Sequence, residues 1–161
     1  MSSRTRIFTA LAPVLLLGWA SPAEAQLAVG LHVARAQDVF EGANGLGVGA
    51  EAGVPLFPVS VRAAADYFFP DCGSAEGCSF LGGSLNVNVA LPIAVLRPYV
   101  TGGLVYRRFD ADDASDAESD TGLGAGVGLD LNPVLLKLYV EARYEWVDPD
   151  DQWVLRLGFF L

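Results

Sequence analysis

The sequence predicts an all-β chain: an eight-stranded antiparallel up-and-down transmembrane β-barrel behind a cleavable signal peptide. Three observations predict it. Apolar residues recur at alternate positions over segments of roughly nine to twelve residues, the period of a strand with one apolar face. The chain is 52% hydrophobic and 18% charged, yet past its first 25 residues it has no apolar run long enough for a membrane helix. The faces opposite the apolar ones carry charges of both signs. A soluble sandwich would turn its apolar faces inward and its charges to water. Segments near the ~9–11 residues that cross a bilayer at a tilt favour the inverted arrangement.

Residues 1–25 read as an export signal. Arg4 and Arg6 precede the apolar stretch Ile7 to Trp19, and Ala23-Glu24-Ala25 offers small residues where a signal peptidase cuts. This reading is preferred to an N-terminal anchor, and no cysteine near the cut suggests a lipoprotein. Residues 26–161 then form one barrel domain.

Eight segments follow in order. Their outward faces are Leu27, Val29, Leu31 and Val33; Leu46, Val48, Ala50, Ala52 and Val54; Val59, Val61, Ala63, Ala65 and Tyr67; and Leu81, Gly83, Leu85, Val87, Val89 and Leu91. The second half continues with Leu96, Val100, Leu104 and Tyr106; Leu123, Ala125, Val127, Leu129 and Leu131; Leu136, Leu138, Val140, Ala142, Tyr144 and Trp146; and Trp153, Leu155, Leu157, Phe159 and Leu161. Connections alternate between long (36–45, 69–80, 109–121) and short (55–58, 92–95, 132–133), with 147–152 intermediate. Transmembrane barrels show this asymmetry, with the long loops outside. Every short turn carries proline (Pro55, Pro58, Pro92, Pro133), which presets turn geometry.

The turns predict register. Pairing Val54 with Val59 across the Pro55–Pro58 turn sets Glu51 opposite Arg62. A two-residue turn at Asn132-Pro133 sets Gly122, Gly124, Gly126 and Gly128 opposite Arg143, Glu141, Tyr139 and Lys137, clearing room for large side chains across the lumen. Tyr67, Tyr106, Tyr144, Trp146 and Trp153 share the outward parity and the long-loop height, as an interfacial aromatic girdle does.

The chain resembles the small outer-membrane β-barrel superfamily, the OmpA-transmembrane and OmpX-like group. The resemblance spans the whole mature chain. It rests on the leader, the eight alternating segments, the stretch Arg97-Pro98-Tyr99-Val100-Thr101-Gly102-Gly103-Leu104, and the final Arg156-Leu157-Gly158-Phe159-Phe160-Leu161. The family's terminal signal usually ends in an aromatic; here Leu161 is last and Phe160 has inward parity. The resemblance implies an outer-membrane location, contact with lipid and lipopolysaccharide, and recognition of the last strand by the barrel-assembly machinery. It also implies a monomer with its loops open to an external ligand.

An eight-stranded lumen is just filled by side chains. Glu51, Arg62, Asp66, Lys137, Glu141, Arg143 and Arg156 therefore read as a self-neutralising network rather than an ion path. His32, the only histidine, reads as a hydrogen-bonded lumen residue. The alternative is a member of a Ser–His–carboxylate triad like those of lipid-modifying barrels. The acidic run Asp110, Asp112, Asp113, Asp116, Glu118 and Asp120 reads as a solvated loop with weak divalent-ion affinity. Arg35 and Arg108 share outward parity at the loop end, within reach of lipid phosphates. Cys72 and Cys78 flank a flexible tip and read as a disulfide in an oxidising compartment. A net charge of −9 argues against nucleic acid. No cofactor is expected. The predicted function is non-catalytic, structural or surface-interacting, with passage of small apolar ligands as the alternative and lipid modification less favoured.

Overall fold

Alternation of the side chains dictates which way the wall faces. In a pleated strand successive residues point to opposite sides, so a chain that alternates Leu or Val with Arg, Glu or Asn must give the apolar set to one medium and the ionic set to another. The computed structural model describes residues 27–37, 42–54, 57–70, 78–91, 96–111, 118–131 and 136–161. Eight strands are described: β1 (Leu27–Gln37), β2 (Asn44–Gly53), β3 (Val59–Phe69), β4 (Cys78–Ala90), β5 (Leu96–Ala111), β6 (Glu118–Leu131), β7 (Lys137–Trp146) and β8 (Gln152–Phe160). Each pairs antiparallel with the next, and β8 pairs with β1, so the sheet closes on itself.

The wall is inside out relative to a soluble protein. Leu31, Val48, Leu85, Leu104, Leu123, Val127 and Leu157 are exposed, whereas Glu141, Arg143 and Asp66 are almost fully buried. The fold is an eight-stranded antiparallel transmembrane β-barrel, as the alternation predicts.

Registers agree with the turn chemistry in one place and depart from it in another. Val54 N–H donates to the Val59 carbonyl at 2.9 Å, and Glu51 lies opposite Arg62. On β6 and β7, however, Leu131 pairs with Leu138, so Gly124, Gly126 and Gly128 face Glu145, Arg143 and Glu141. The predicted register was displaced by four residues along the partner strand, because the connection spans more than Asn132-Pro133. The displacement is even, so both strands keep their faces.

The strands also run further toward the long loops than the apolar pattern indicates. Asp110 pairs with Ser79 and Asp120 with Arg107, and Phe109 pairs with Glu118. These acidic positions belong to the ladder rather than to a loop. A strand that projects into water can be polar on both faces, and such a stretch carries no alternation to read. Asp112, Asp113 and Asp116 lie outside the described residues, as do Cys72, with its pairing to Cys78, and the leader.

Tyr67, Tyr106, Trp146 and Trp153 are exposed on the outer wall. Half-buried Tyr144 packs edge-on against both Trp146 and Trp153, with ring centroids 5.1 Å apart in each case. Its hydroxyl donates to Asp151 at 3.1 Å. Aromatic bodies toward the wall and polar tips toward water suit a membrane interface.

Candidate functional site: the filled lumen

Three linked clusters occupy the interior. The first centres on Arg62 of β3. Its guanidinium donates to Glu51 (2.8 Å), to the Tyr99 hydroxyl (2.8 Å) and to Glu141 (3.1 Å). The same group lies 4.5 Å from the Tyr139 ring centroid and 5.0 Å from that of Phe160, a cation–π arrangement strengthened by desolvation. Lys137 ties Glu51 to Asp130, bonding the first directly and the second at 2.9 Å.

Arg156 of β8 organises the second cluster. It reaches across to Asp66 of β3 through two hydrogen bonds (2.6 and 3.1 Å) and to Glu141 at 3.1 Å. His32 Nε2 also meets Asp66, at 2.7 Å. The third cluster gathers on Glu145, which accepts from Arg143, from Arg107 (3.2 Å) and from Gln152 (3.0 Å). Arg107 continues to the Asp150 carbonyl at 2.6 Å. Toward the long loops the interior turns apolar, with Ala34, Ala36, Phe68, Phe80 and Val154 packed together.

Five cations (Arg62, Arg107, Lys137, Arg143, Arg156) meet five carboxylates (Glu51, Asp66, Asp130, Glu141, Glu145) in these ion pairs. The pairing matters because an uncompensated charge in such an interior is costly. With the signs matched, each charge in these clusters has an opposite charge beside it.

Glycines make the space. A Cβ on Gly128 would run into the Tyr99 ring, one on Gly126 into Arg143 and the Ala142 carbonyl, and one on Gly47 into His32. The glycine row on β6 thus leaves its face open to the bulk opposite, although in a different register from the one predicted.

All seven predicted network residues lie in these clusters, and His32 joins them through Asp66. No serine reaches that histidine among the described residues. Ser60 is bonded by Asn88 and Ser84 by Asn86. Among the described residues no group of three His, Cys, Asp or Glu side chains could hold a metal ion. Arg108 is occupied, bonding Asp110 at 3.0 and 3.2 Å; Arg35 remains exposed on the outer wall. Sequence reasoning did not name Asp130, Glu145, Tyr99, Arg107 or Gln152 as members, and it placed Tyr139 on the inward face without giving it a partner. Inward parity was the available signal, but parity alone does not say which inward side chains meet. The apolar grooves lie outside, one of about 620 Å³ running past Val29, Leu31, Val48, Ala50 and Ala63 of β1 to β3.

No family model and no curated protein sequence matches the chain. Solved structures do. Ail, the attachment invasion locus protein of Yersinia pestis, superposes with a TM-score of 0.60 at 16% identity, over 85% of this chain and 97% of that one. The N-terminal β-barrel domain of Pseudomonas aeruginosa OprF gives 0.59 at 17% identity, over 83% and 95%. Neisserial surface protein A gives 0.59 at 15%, over 84% and 94%. Ail has also been solved in complex with the heparin analogue sucrose octasulfate. The chain has the fold of the small eight-stranded outer-membrane barrels.

Proposed function

We propose that this protein is a non-catalytic barrel of the outer membrane. It is delivered there by residues 1–25, has a structural and surface-interacting role, and turns its long-loop end outward. The observation that carries the reading is the lumen itself: ion pairs between opposite walls occupy it, and the apolar surface is the outer wall. A polar path for solutes and a catalytic serine–histidine pair both find no support in that arrangement. The closed ladder, which has no free strand edge, supports a monomer in contact with lipid and lipopolysaccharide. The last strand is the segment offered to the assembly machinery.

The external ligand is expected to be basic. Ail binds a polysulfated sugar analogue, but the run from Asp110 to Asp120 of this chain carries six acidic residues, and the neighbouring Arg107 and Arg108 are engaged by Glu145 and Asp110. A polyanion would meet like charge. The test has two parts. Purified barrel in planar bilayers should leave the conductance at the level of the bare membrane, and a sustained open channel would overturn the plug. Refolded barrel should retain a basic peptide and not heparin on an immobilised surface; the reverse preference would overturn the surface reading.

A further inference from the structure

One guanidinium of the outer wall has no ionic partner. Arg35 of β1 is exposed at the long-loop end and makes no ion pair among the described residues, whereas Arg108, also outward, is held by Asp110. Its ladder neighbours are Asn44 on β2 and Leu155 on β8, and no carboxylate shares the outward face of β8, β1, β2 or β3. The height is that of the girdle. Trp153 pairs with Gln37, one outward step above Arg35, and Tyr67 pairs with Leu46, one outward step below Asn44. The guanidinium lies over Gly42, where φ is +97° and an added Cβ would stand 2.9 Å from Nη2. That glycine leaves the charged group uncovered.

Below it an apolar groove of about 560 Å³ runs down the wall, within the size range of small-molecule sites. Arg35, Asn44 and Phe69 line its head, and Val33, Leu46 and Leu157 line its length. A cation facing lipid at this height calls for an anion from the headgroup layer, because the hydrocarbon beneath offers none. The groove calls for an acyl chain joined to that anion. A zwitterionic headgroup would bring a second cation beside Arg35, whereas a phosphate monoester brings net negative charge and several acceptors matched to a guanidinium. We propose that Arg35 and Asn44 hold a phosphate of lipid A, the acylated sugar anchor of lipopolysaccharide, with one of its acyl chains lying in the groove. The guanidinium and the Asn44 amide both donate to the phosphate oxygens. The proposal rests on the outward orientation of the long-loop end, and it gives a single fixed seat on β8, β1 and β2 to a lipid contact otherwise spread around the barrel.

The test uses the full barrel folded in detergent micelles, with lipid A as the probe and native mass spectrometry counting the lipid retained. Wild type should keep one lipid A per barrel. Arg35→Gln should weaken that binding by about tenfold, and Arg108→Gln should leave it unchanged. Val33→Trp, which fills the groove and spares the guanidinium, should weaken it as well. Arg35→Gln is the decisive variant because the side chain has no ionic partner to lose on folding. Enzymatically dephosphorylated lipid A and phosphatidylethanolamine should each bind about tenfold more weakly than lipid A, and inorganic phosphate at the same concentration should not compete. The proposal is overturned if Arg35→Gln retains lipid A as wild type does, if either comparison lipid binds equally well, if Val33→Trp has no effect, or if inorganic phosphate displaces the lipid. Cleavage of the long loops by protease added to intact cells reads the orientation of the barrel separately.

Discussion

Replacing Glu141 with glutamine tests whether the lumen is held together by charge rather than by shape. Its two oxygens accept from Arg62 (3.1 Å), Tyr99 (3.0 Å) and Arg156 (3.1 Å), and the residue is 2% exposed. The amide keeps the volume and one acceptor but turns an N–H₂ toward a guanidinium. At least one charge-assisted hydrogen bond is lost, worth about 1.5–3 kcal/mol. Two buried cations also lose a shared counterion, which brings the expected cost to about 3–5 kcal/mol. Val140→Leu is the paired control, one residue away on the outer wall and 48% exposed. It adds a methylene to hydrocarbon and should be neutral or stabilising by up to about 0.8 kcal/mol; in a packed interior it would cost about 1–3 kcal/mol. Urea unfolding of the barrel in vesicles, followed by tryptophan fluorescence, measures both as midpoint shifts at constant slope. The reasoning fails if Glu141→Gln stays within about 1 kcal/mol of wild type, or if Val140→Leu proves the more damaging change.

Gly128→Ala should cost about 1–3 kcal/mol by displacing the Tyr99 ring. Gly53→Ala, where an added Cβ meets nothing within 4 Å, should stay within about 0.5 kcal/mol in the same assay. Single-tryptophan variants keeping Trp146 or Trp153 should be quenched by bromines near the headgroups and spared by those at the acyl-chain ends; the opposite order would remove the girdle. Calorimetry with Ca²⁺ on refolded barrel should give weak heats that vanish in the Asp112→Asn/Asp113→Asn double variant, and unchanged heats would dispose of ion binding by that run.

Parity was legible throughout because hydrocarbon enforces it: moving a strand by one residue would drive Glu141 and Arg143 into lipid. Register was legible only where a turn specified it. The Pro55–Pro58 turn placed Glu51 against Arg62, while Asn132-Pro133 misled, since a shift of an even number of residues leaves every side chain in its proper medium and offends nothing in the alternation. The role of the inward tyrosines was harder to read. Tyr99 and Tyr139 give their rings to Arg62, and Tyr99 also gives its hydroxyl, a use that a pattern of outward aromatics does not advertise. Phe160, out of step with a terminal signal, covers the same guanidinium from β8.

The bonds from Arg156 to Asp66, Lys137 to Glu51 and Glu141 to Arg62 join residues 90, 86 and 79 positions apart in the chain. None can form while the sheet is an open ribbon. Until β8 docks on β1, each of these ions faces that mate across a gap, with only cross-strand neighbours such as Glu51 for Arg62 and Glu141 for Arg156 within reach. Closing the ring is thus what joins the far walls: docking β8 on β1 completes an ionic clasp that neighbouring strands alone can only begin.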